Sequence, residues 1–112
     1  MRPPDFEALA QEALEQVRTA VEATDLDVDV EVKGDGVLEL GFEDGSKIVV
    51  NRHSAAGEVW IAARQGGFHL RWDGAAWRDT REGRELFALL SKLVSSQSGS
   101  PVVLAPPRKA GG

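Results

Sequence analysis

The sequence contains no cysteine. It can therefore form neither a disulfide nor a thiolate metal site, it cannot hold a cluster through thiolates, and it has no cysteine nucleophile. Any bound metal must have oxygen or imidazole ligands. The chain of 112 residues also lacks an apolar run long enough to span a membrane, and residues 1–5 lack the apolar stretch of a secretory signal. We expect a cytoplasmic protein.

Positive charge is scarce in the first third of the chain. Residues 1–35 contain ten acidic side chains but three basic ones, whereas the remainder contains eight acidic and ten basic side chains. The formal net charge of -5 therefore belongs mainly to the amino-terminal third. Such a surface repels nucleic acid phosphates and attracts cations or a basic protein surface. We expect no DNA or RNA binding.

Familiar catalytic motifs are missing as well. There is no Gly-x-Ser-x-Gly elbow and no His-Glu-x-x-His, and His53 and His69 lie in predicted sheet elements without an evident nucleophile or a carboxylate at ligand spacing. Residues 65–67 predict a hairpin turn and not a nucleotide loop, because no helix follows to offer backbone amides to a phosphate. We expect a binding protein that is not an enzyme.

Two helices are predicted at the ends of a single domain. Apolar residues recur with helical spacing over residues 6–23, and a second apolar helical face ends near Ser95. Asp79 and Glu82 have the spacing of a capping box in front of this second helix. A chain of this length can bury one core but not two.

The segment between the helices predicts strands, because apolar and polar residues alternate between turn-forming clusters. No helix separates these strands, so the sheet should be antiparallel. We expect an α+β two-layer sandwich in which two helices cover one face of about six strands. Trp72 and Trp77 are expected in the core. The predicted strands cover residues 25–32, 37–42, 47–51, 58–64, 68–72 and a short segment ending at Trp77.

The carboxyl-terminal segment changes composition after the second helix. Residues 95–101 are rich in serine and glycine, whereas residues 102–104 are apolar and should pack back along the two helices. The domain is therefore expected to span residues 1–104, followed by a disordered tail at 105–112.

Four carboxylates alternate with apolar residues in the first predicted strand. Asp25, Asp27, Asp29 and Glu31 should form a row on one strand face, with neighbours roughly 6.6 to 6.8 Å apart. An open row binds hard cations such as iron, manganese, magnesium or calcium weakly, with solvent completing the coordination. An EF-hand is excluded, because its glycine and glutamate positions hold valine and glycine. The alternative is that these charges merely prevent edge-to-edge aggregation.

Trp60 is predicted to face outward from the sheet. It shares its strand face with Glu58 and Arg64, whereas Val59 and Ile61 occupy the opposite, more apolar face. A large aromatic side chain on an open sheet face is a candidate hot spot for protein binding. The alternative is that a loop or the tail covers it.

Several segments of the sheet region, followed by Trp77 and the helix over residues 86–90, share their order and spacing with one known family. They resemble the bacterial frataxin family, the CyaY-type proteins, across residues 5–104. The resemblance implies a two-helix sandwich that binds ferrous and ferric iron weakly on an acidic ridge. The matching segments are Gly36–Leu38, Phe42–Ile48, Val50–Arg52, Val59–Ala62 and Gln65–His69.

The resemblance also implies partners and contact residues. It implies docking to the cysteine desulfurase that supplies sulfur for clusters, with the cluster scaffold protein as a second partner. The implied contacts on the sheet face are Asn51, Trp60 and Gln65. The implied iron-binding ridge consists of the exposed carboxylates of the first helix and first strand: Glu15, Glu22, Asp25, Asp27, Asp29 and Glu31.

The sequence departs from the family pattern at two places. Bacterial relatives carry more acidic residues in the last turns of the first helix, where this chain has Arg18, Thr19 and two alanines, and this difference bears on both iron capacity and iron affinity. Residues 53–57 also lack the usual glutamine and proline. Two functions remain open: an iron-responsive regulator of the desulfurase, and a metal-independent adaptor whose acidic surface docks a basic partner. We expect a monomer in the absence of iron.

Overall fold

The computed structural model describes residues 5–107, in which two helices flank six strands. Within this part of the chain, no helix is both long and apolar enough to cross a membrane. The helices are α1 (Phe6–Glu22) and α2 (Leu86–Ser98), and the strands are β1 (Asp29–Val32), β2 (Val37–Gly41), β3 (Lys47–His53), β4 (Glu58–Ala63), β5 (Gly66–Trp72) and β6 (Trp77–Asp79).

The six strands form one antiparallel meander in the order β1-β2-β3-β4-β5-β6. Successive residues of a strand point to opposite faces, and one face holds the buried set, including Leu40, Val50 and Ile61. These side chains share a core with Val17 of α1 and Leu90 of α2. The predicted α+β architecture is confirmed. The other sheet face, which we call the open face, is covered by neither α1 nor α2.

Two aromatic contacts close the core beside β6. The ring of Trp77 is buried and lies edge-on against Phe6 of α1, with 5.9 Å between the ring centroids. Trp72 is partly buried and lies 5.6 Å from Trp77, also at a steep angle. Edge-to-face geometry suits the charge distribution of aromatic rings. The prediction of a core position therefore holds fully for Trp77 and partly for Trp72.

The first strand is shorter than predicted. β1 begins at Asp29, and residues 25–28 follow α1 as irregular chain without ladder partners. The burial alternation nevertheless begins at Leu26, because Leu26 and Val28 pack partly against the core while the carboxylates between them stay exposed. At the other strands, β3 extends to His53 and β5 already begins at Gly66. The last strand was predicted to end at Trp77, but β6 begins there and runs to Asp79.

The capping box predicted from Asp79 and Glu82 is wrong. α2 begins at Leu86, and the side chain of Glu85 accepts hydrogen bonds from the backbone N–H groups of Phe87 and Ala88 at 2.9 and 3.1 Å. Asp79 instead ends β6 and binds the loop that precedes the helix. The helix also continues three residues beyond Ser95, where Gly99 terminates it with a φ of 77°, a conformation that favours glycine.

The apolar end of the chain packs as predicted at two of its three residues. Leu104 is buried and Val102 partly buried, whereas Val103 is 89% exposed. Ser91 and Ser95 of α2 hold this segment, because their hydroxyl oxygens accept hydrogen bonds from the backbone N–H groups of Leu104 and Val102 at 2.8 and 2.9 Å. Of the tail predicted to be disordered, residues 108–112 lie outside the described residues.

Candidate functional site

Half of the predicted ridge carboxylates are paired with cations of the same chain. Arg18 lies between Glu15 and Glu22, with nitrogen–oxygen distances of 2.6 and 3.0 Å. Glu31 pairs with Lys33 at 3.1 Å. Exposed pairs of this kind stabilise a fold little, but they lower the negative potential available to a bound cation.

The other half of the ridge has no such compensation. Asp25, Asp27 and Asp29 are exposed and form no ion pair within the described chain. Asp29 shares the open face with Glu31, since both lie in β1 with residues facing the same side, while Asp25 and Asp27 lie in the irregular segment before it. The six residues therefore form a band along one edge of the molecule and not a single strand face.

A seventh carboxylate, which the sequence did not indicate, joins this band. Glu43 in the β2–β3 turn lies against Asp27, and the hydrogen bond between the two carboxyl groups and their mutual repulsion raise the pKa of Glu43 above its ordinary value. The contact joins residues 16 positions apart in sequence and depends on how the turn packs against residues 25–28. The packing of the turn therefore brings two acidic groups, Asp27 and Glu43, together on the ridge.

The turn that carries Glu43 is held by the carboxyl-terminal end of α2. The buried side chain of Gln97 donates hydrogen bonds to the Ser46 hydroxyl at 3.0 Å and to the Lys47 carbonyl at 3.3 Å. Its oxygen accepts the backbone N–H of Arg64 at 2.9 Å. One side chain thus fixes two hairpin turns to the helix, which keeps Glu43 close to Asp27.

The band is an open surface and not an enclosed metal site. Across residues 5–107, no three histidine or acidic side chains come close enough together to hold a metal ion. A cation at Asp27 and Glu43 would therefore keep most of its coordinated water. This geometry fits weak binding with little selectivity.

Replacing Glu43 with Gln should stabilise the protein slightly at neutral pH. The raised pKa means that the folded state binds the proton of Glu43 more tightly than the unfolded state, so the repulsion is present above the folded pKa and disappears as the pH falls below the unfolded value. Thermal unfolding at pH 7 and at about pH 4 measures the difference, which should shrink at the lower pH.

The same substitution in an Asp27→Asn background provides the control. With the neighbouring charge already removed, Glu43→Gln should have no further effect on the unfolding midpoint. A gain of equal size in both backgrounds would show that Asp27 is not the cause.

On the open face, Trp60 is part of a stack of three rings. In the sheet it lies opposite Asn51 of β3 and His69 of β5. Its indole is parallel to the ring of His53 at a centroid distance of 3.7 Å and to that of His69 at 4.4 Å. Both faces of the indole are therefore covered, and its outer edge is what a partner would meet. Gln65 lies apart, exposed at the tip of the β4–β5 hairpin.

A buried carboxylate lies beneath this stack. The side chain of Glu58 is 6% exposed although it belongs to the open face. It accepts hydrogen bonds from Nε1 of Trp60 at 2.8 Å and from Nε of Arg71 at 2.6 Å, and Nδ1 of His69 lies 3.7 Å away. Burial by itself would raise the pKa of Glu58. The hydrogen bonds from Trp60 and Arg71 outweigh burial, so the pKa lies below its ordinary value.

The approach of Glu58 to His69 is a contact that the sequence analysis did not predict. Glu58 was assigned to the open face, but nothing in its spacing indicated that neighbouring side chains would bury it. The weak signal was the alternation of Glu58 with Trp60 on one strand face, which places the two side chains within reach of each other.

A shallow apolar groove runs along the open face beside the stack. Val37, Val49 and Ala62 line it, and Trp60 and His69 form one wall. The Asn51 side chain also lines the groove and forms no hydrogen bond with residues 5–107. An apolar floor with one unpaired amide at its margin is suited to a protein segment that contributes both an apolar side chain and a backbone hydrogen bond.

These features of fold and surface agree with the comparison to known proteins. Residues 1–100 match the family model described as the frataxin-like domain. The chain belongs to the frataxin family. The iron–sulfur cluster assembly protein CyaY of Dechloromonas aromatica is 56% identical to this frataxin over 104 residues, which cover 93% of this chain and 99% of the relative. The CyaY protein of Cupriavidus metallidurans is 50% identical over 103 residues, with 89% and 93% covered.

Solved structures agree with this assignment. Frataxin from Psychromonas ingrahamii, described within the CyaY protein family, superposes with a TM-score of 0.82 at 29% identity and covers 92% of this chain and 97% of its own. Trimeric yeast frataxin in complex with ferrous iron superposes with a TM-score of 0.64 at 19% identity, covering 89% and 90%. The yeast likeness establishes the fold.

Proposed function

We propose that this frataxin-family protein acts in iron–sulfur cluster assembly as an iron-binding regulator of the cysteine desulfurase. It acts in the cytoplasm by binding iron and partners and not by catalysis. Relatives at 50% identity or more are named for cluster assembly, and a yeast frataxin of the same fold is described in complex with ferrous iron. The observation that carries the proposal is the group of three uncompensated aspartates on the ridge, Asp25, Asp27 and Asp29.

The iron site of this proposal is centred on Asp27. The hydrogen bond with Asp27 and the repulsion between the two carboxyl groups raise the pKa of Glu43, so a cation between the ionised carboxylates would relieve an unfavourable contact. Hard oxygen ligands suit ferrous and ferric iron, and other divalent cations suit the same ligands. Glu15, Glu22 and Glu31 extend the negative field around this centre, although Arg18 and Lys33 reduce their share.

The desulfurase contact of this proposal uses two surfaces. The acidic ridge attracts a basic surface over a long range and so governs encounter. The sheet patch, defined as Asn51, Trp60 and Gln65, then holds the complex through aromatic burial. The cluster scaffold protein is a second partner for the same patch, and the protein is a monomer when iron is absent.

Removing two ridge charges tests the iron-binding part. Asp27→Asn combined with Asp29→Asn should weaken binding of ferrous iron at least tenfold, since a carboxylate at 4 Å contributes roughly 1 kcal/mol per unit of cation charge even in water. Anaerobic calorimetry with ferrous iron measures the affinity. The matched control is Asp5→Asn combined with Glu82→Gln, which removes the same charge from exposed positions outside the ridge.

Equal iron affinity in the ridge and control variants would contradict the ridge assignment. It would favour the second candidate function, a metal-independent adaptor whose acidic surface only docks a basic partner. One observation supports that alternative: the absence of any enclosing group of three metal-binding side chains within residues 5–107. Desulfurase binding that is identical with and without iron would separate the two functions further.

A further inference from the structure

Glu58 is an unusual residue for the open face of a sheet. A carboxylate loses hydration when it is buried and stays ionised only where charges or hydrogen bonds replace the lost water. Among residues 5–107, no helix covers Glu58. It is buried by its own neighbours on the open face, and both of its oxygens are used. Its two oxygens therefore depend on Trp60 and Arg71 for the hydrogen bonds that water would otherwise supply.

The Trp60 ring leans toward this carboxylate. In the sheet, Trp60 lies directly opposite Asn51, whereas His53 lies opposite Glu58. The indole nevertheless stacks on His53 and not over Asn51. The ring is therefore tilted along β4 toward Glu58, in the direction of the hydrogen bond from its Nε1 to the carboxylate.

This tilt determines the shape of the surface beside the ring. Asn51, Val49 and Ala62 line the groove on the side of Trp60 that faces away from Glu58. An indole released from the carboxylate has rotamers that lie across this side, since Trp side chains in strands lean along the strand in either direction.

We infer that Glu58 is the positioning residue of the sheet patch: it fixes the Trp60 ring between His53 and His69 and thereby keeps the groove beside Asn51 open. Arg71 assists by neutralising the carboxylate, and 69% of the Arg71 side chain remains exposed. The consequence for partner binding rests on the proposed desulfurase contact. The arrangement of the ring itself does not.

A measurement without any partner tests the positioning role. The indole Nε1 proton of Trp60 should exchange with solvent about tenfold faster in Glu58→Ala than in the wild type, because it loses its buried acceptor. The indole protons of Trp72 and Trp77 serve as internal references in the same NMR spectra. Glu58→Gln keeps an acceptor oxygen for the indole and should recover most of the protection. This variant also provides a measurement if Glu58→Ala folds poorly.

The matched control is Glu39→Gln. Glu39 lies on the same open face in β2, two strands away from β4, and pairs with Lys47. Its substitution removes the same single charge. It should leave the Trp60 signal unchanged. Unchanged exchange of the Trp60 indole proton in both Glu58 variants would overturn the inference, whether or not any partner binds.

Binding to the purified cysteine desulfurase tests the consequence. Glu58→Ala should weaken it about tenfold, Glu58→Gln much less, and Glu58→Ala in a Trp60→Phe background little further, because phenylalanine has no N–H to position. Equal losses from Glu58→Ala in the wild-type and Trp60→Phe backgrounds would contradict a role through Trp60. A wild-type protein that does not bind the desulfurase would refute the proposed function, while the exchange result would still decide the inference.

Discussion

Replacing Asp79 with Ala should lower the free energy of unfolding by about 3 kcal/mol, because buried donors would lose a charged acceptor. The Asp79 side chain is 1% exposed. Its carboxylate accepts backbone N–H groups of Arg81, Glu82 and Arg84 at 2.8 to 2.9 Å and also pairs with Nε of Arg84 at 2.9 Å. These bonds fix the loop between β6 and α2. Chemical denaturation of the purified variant measures the loss.

The pH dependence of this effect has a definite sign. Burial raises the pKa of Asp79, but the hydrogen bonds from Glu82 and Arg84 outweigh burial and hold the pKa well below the ordinary value of 3.8. The stabilisation is therefore complete above the unfolded pKa and is lost as the pH falls through the folded one. The difference in stability between wild type and Asp79→Asn should stay constant from about pH 7 to pH 5 and shrink below about pH 4. A constant difference down to about pH 2 would contradict this account.

Replacing Trp60 with Ala should weaken desulfurase binding about thirtyfold, which corresponds to about 2 kcal/mol. The loss should arise chiefly from faster dissociation, because the substitution changes no charge and leaves the steering field intact. Surface-based binding kinetics at two salt concentrations measures both rate constants. Normal affinity of this variant would remove the sheet patch from the proposed function.

The ridge double variant should change a different rate constant. Asp27→Asn with Asp29→Asn should slow association and flatten its salt dependence, because screening at physiological ionic strength acts over about 8 Å.

Trp60→Ala should also lower folding stability by about 1 to 2 kcal/mol, since it removes the stacking on two rings and the hydrogen bond to Glu58. This loss of folding stability is larger than the loss expected for a tryptophan that is merely exposed, so a denaturation curve must accompany each binding measurement.

Much of the fold could be predicted because its signals are local. The helical spacing of apolar residues placed α1 within one residue of its observed end, and alternation of apolar and polar residues located β1 to β5, whereas the last predicted segment shares only Trp77 with β6. The boundaries that failed depend on competition between neighbouring groups. Asp79 and Glu82 have the spacing of a capping box, yet Glu85 lies next to the first helical turn and caps it. Residues 25–28 alternate like a strand, but β2 ends at Gly41 and offers them no further ladder partner.

Some features of the two surfaces could likewise be predicted from the sequence, and others could not. Exposure of the ridge carboxylates and the outward direction of Trp60 follow from strand and helix periodicity, so the sequence indicates them. The pairing of Arg18 with Glu15 and Glu22 could also have been predicted, because the residues are three and four positions apart on one helix. The approach of Glu43 to Asp27 could not, since it requires the packing of a turn against an irregular segment.

The sequence by itself determined the class of this protein: the absence of thiol chemistry, an acidic amino-terminal third, one antiparallel sheet with two helices, and membership of the frataxin family. These depend on composition, on periodicity and on the order of short segments, all of which survive without coordinates. The tertiary structure alone decided which ridge carboxylates lack a cation, and that Trp60 lies between two histidines above a buried Glu58. The reason is physical: a side chain's charge compensation, burial and rotamer depend on atoms from strands that are distant in sequence and adjacent in the sheet.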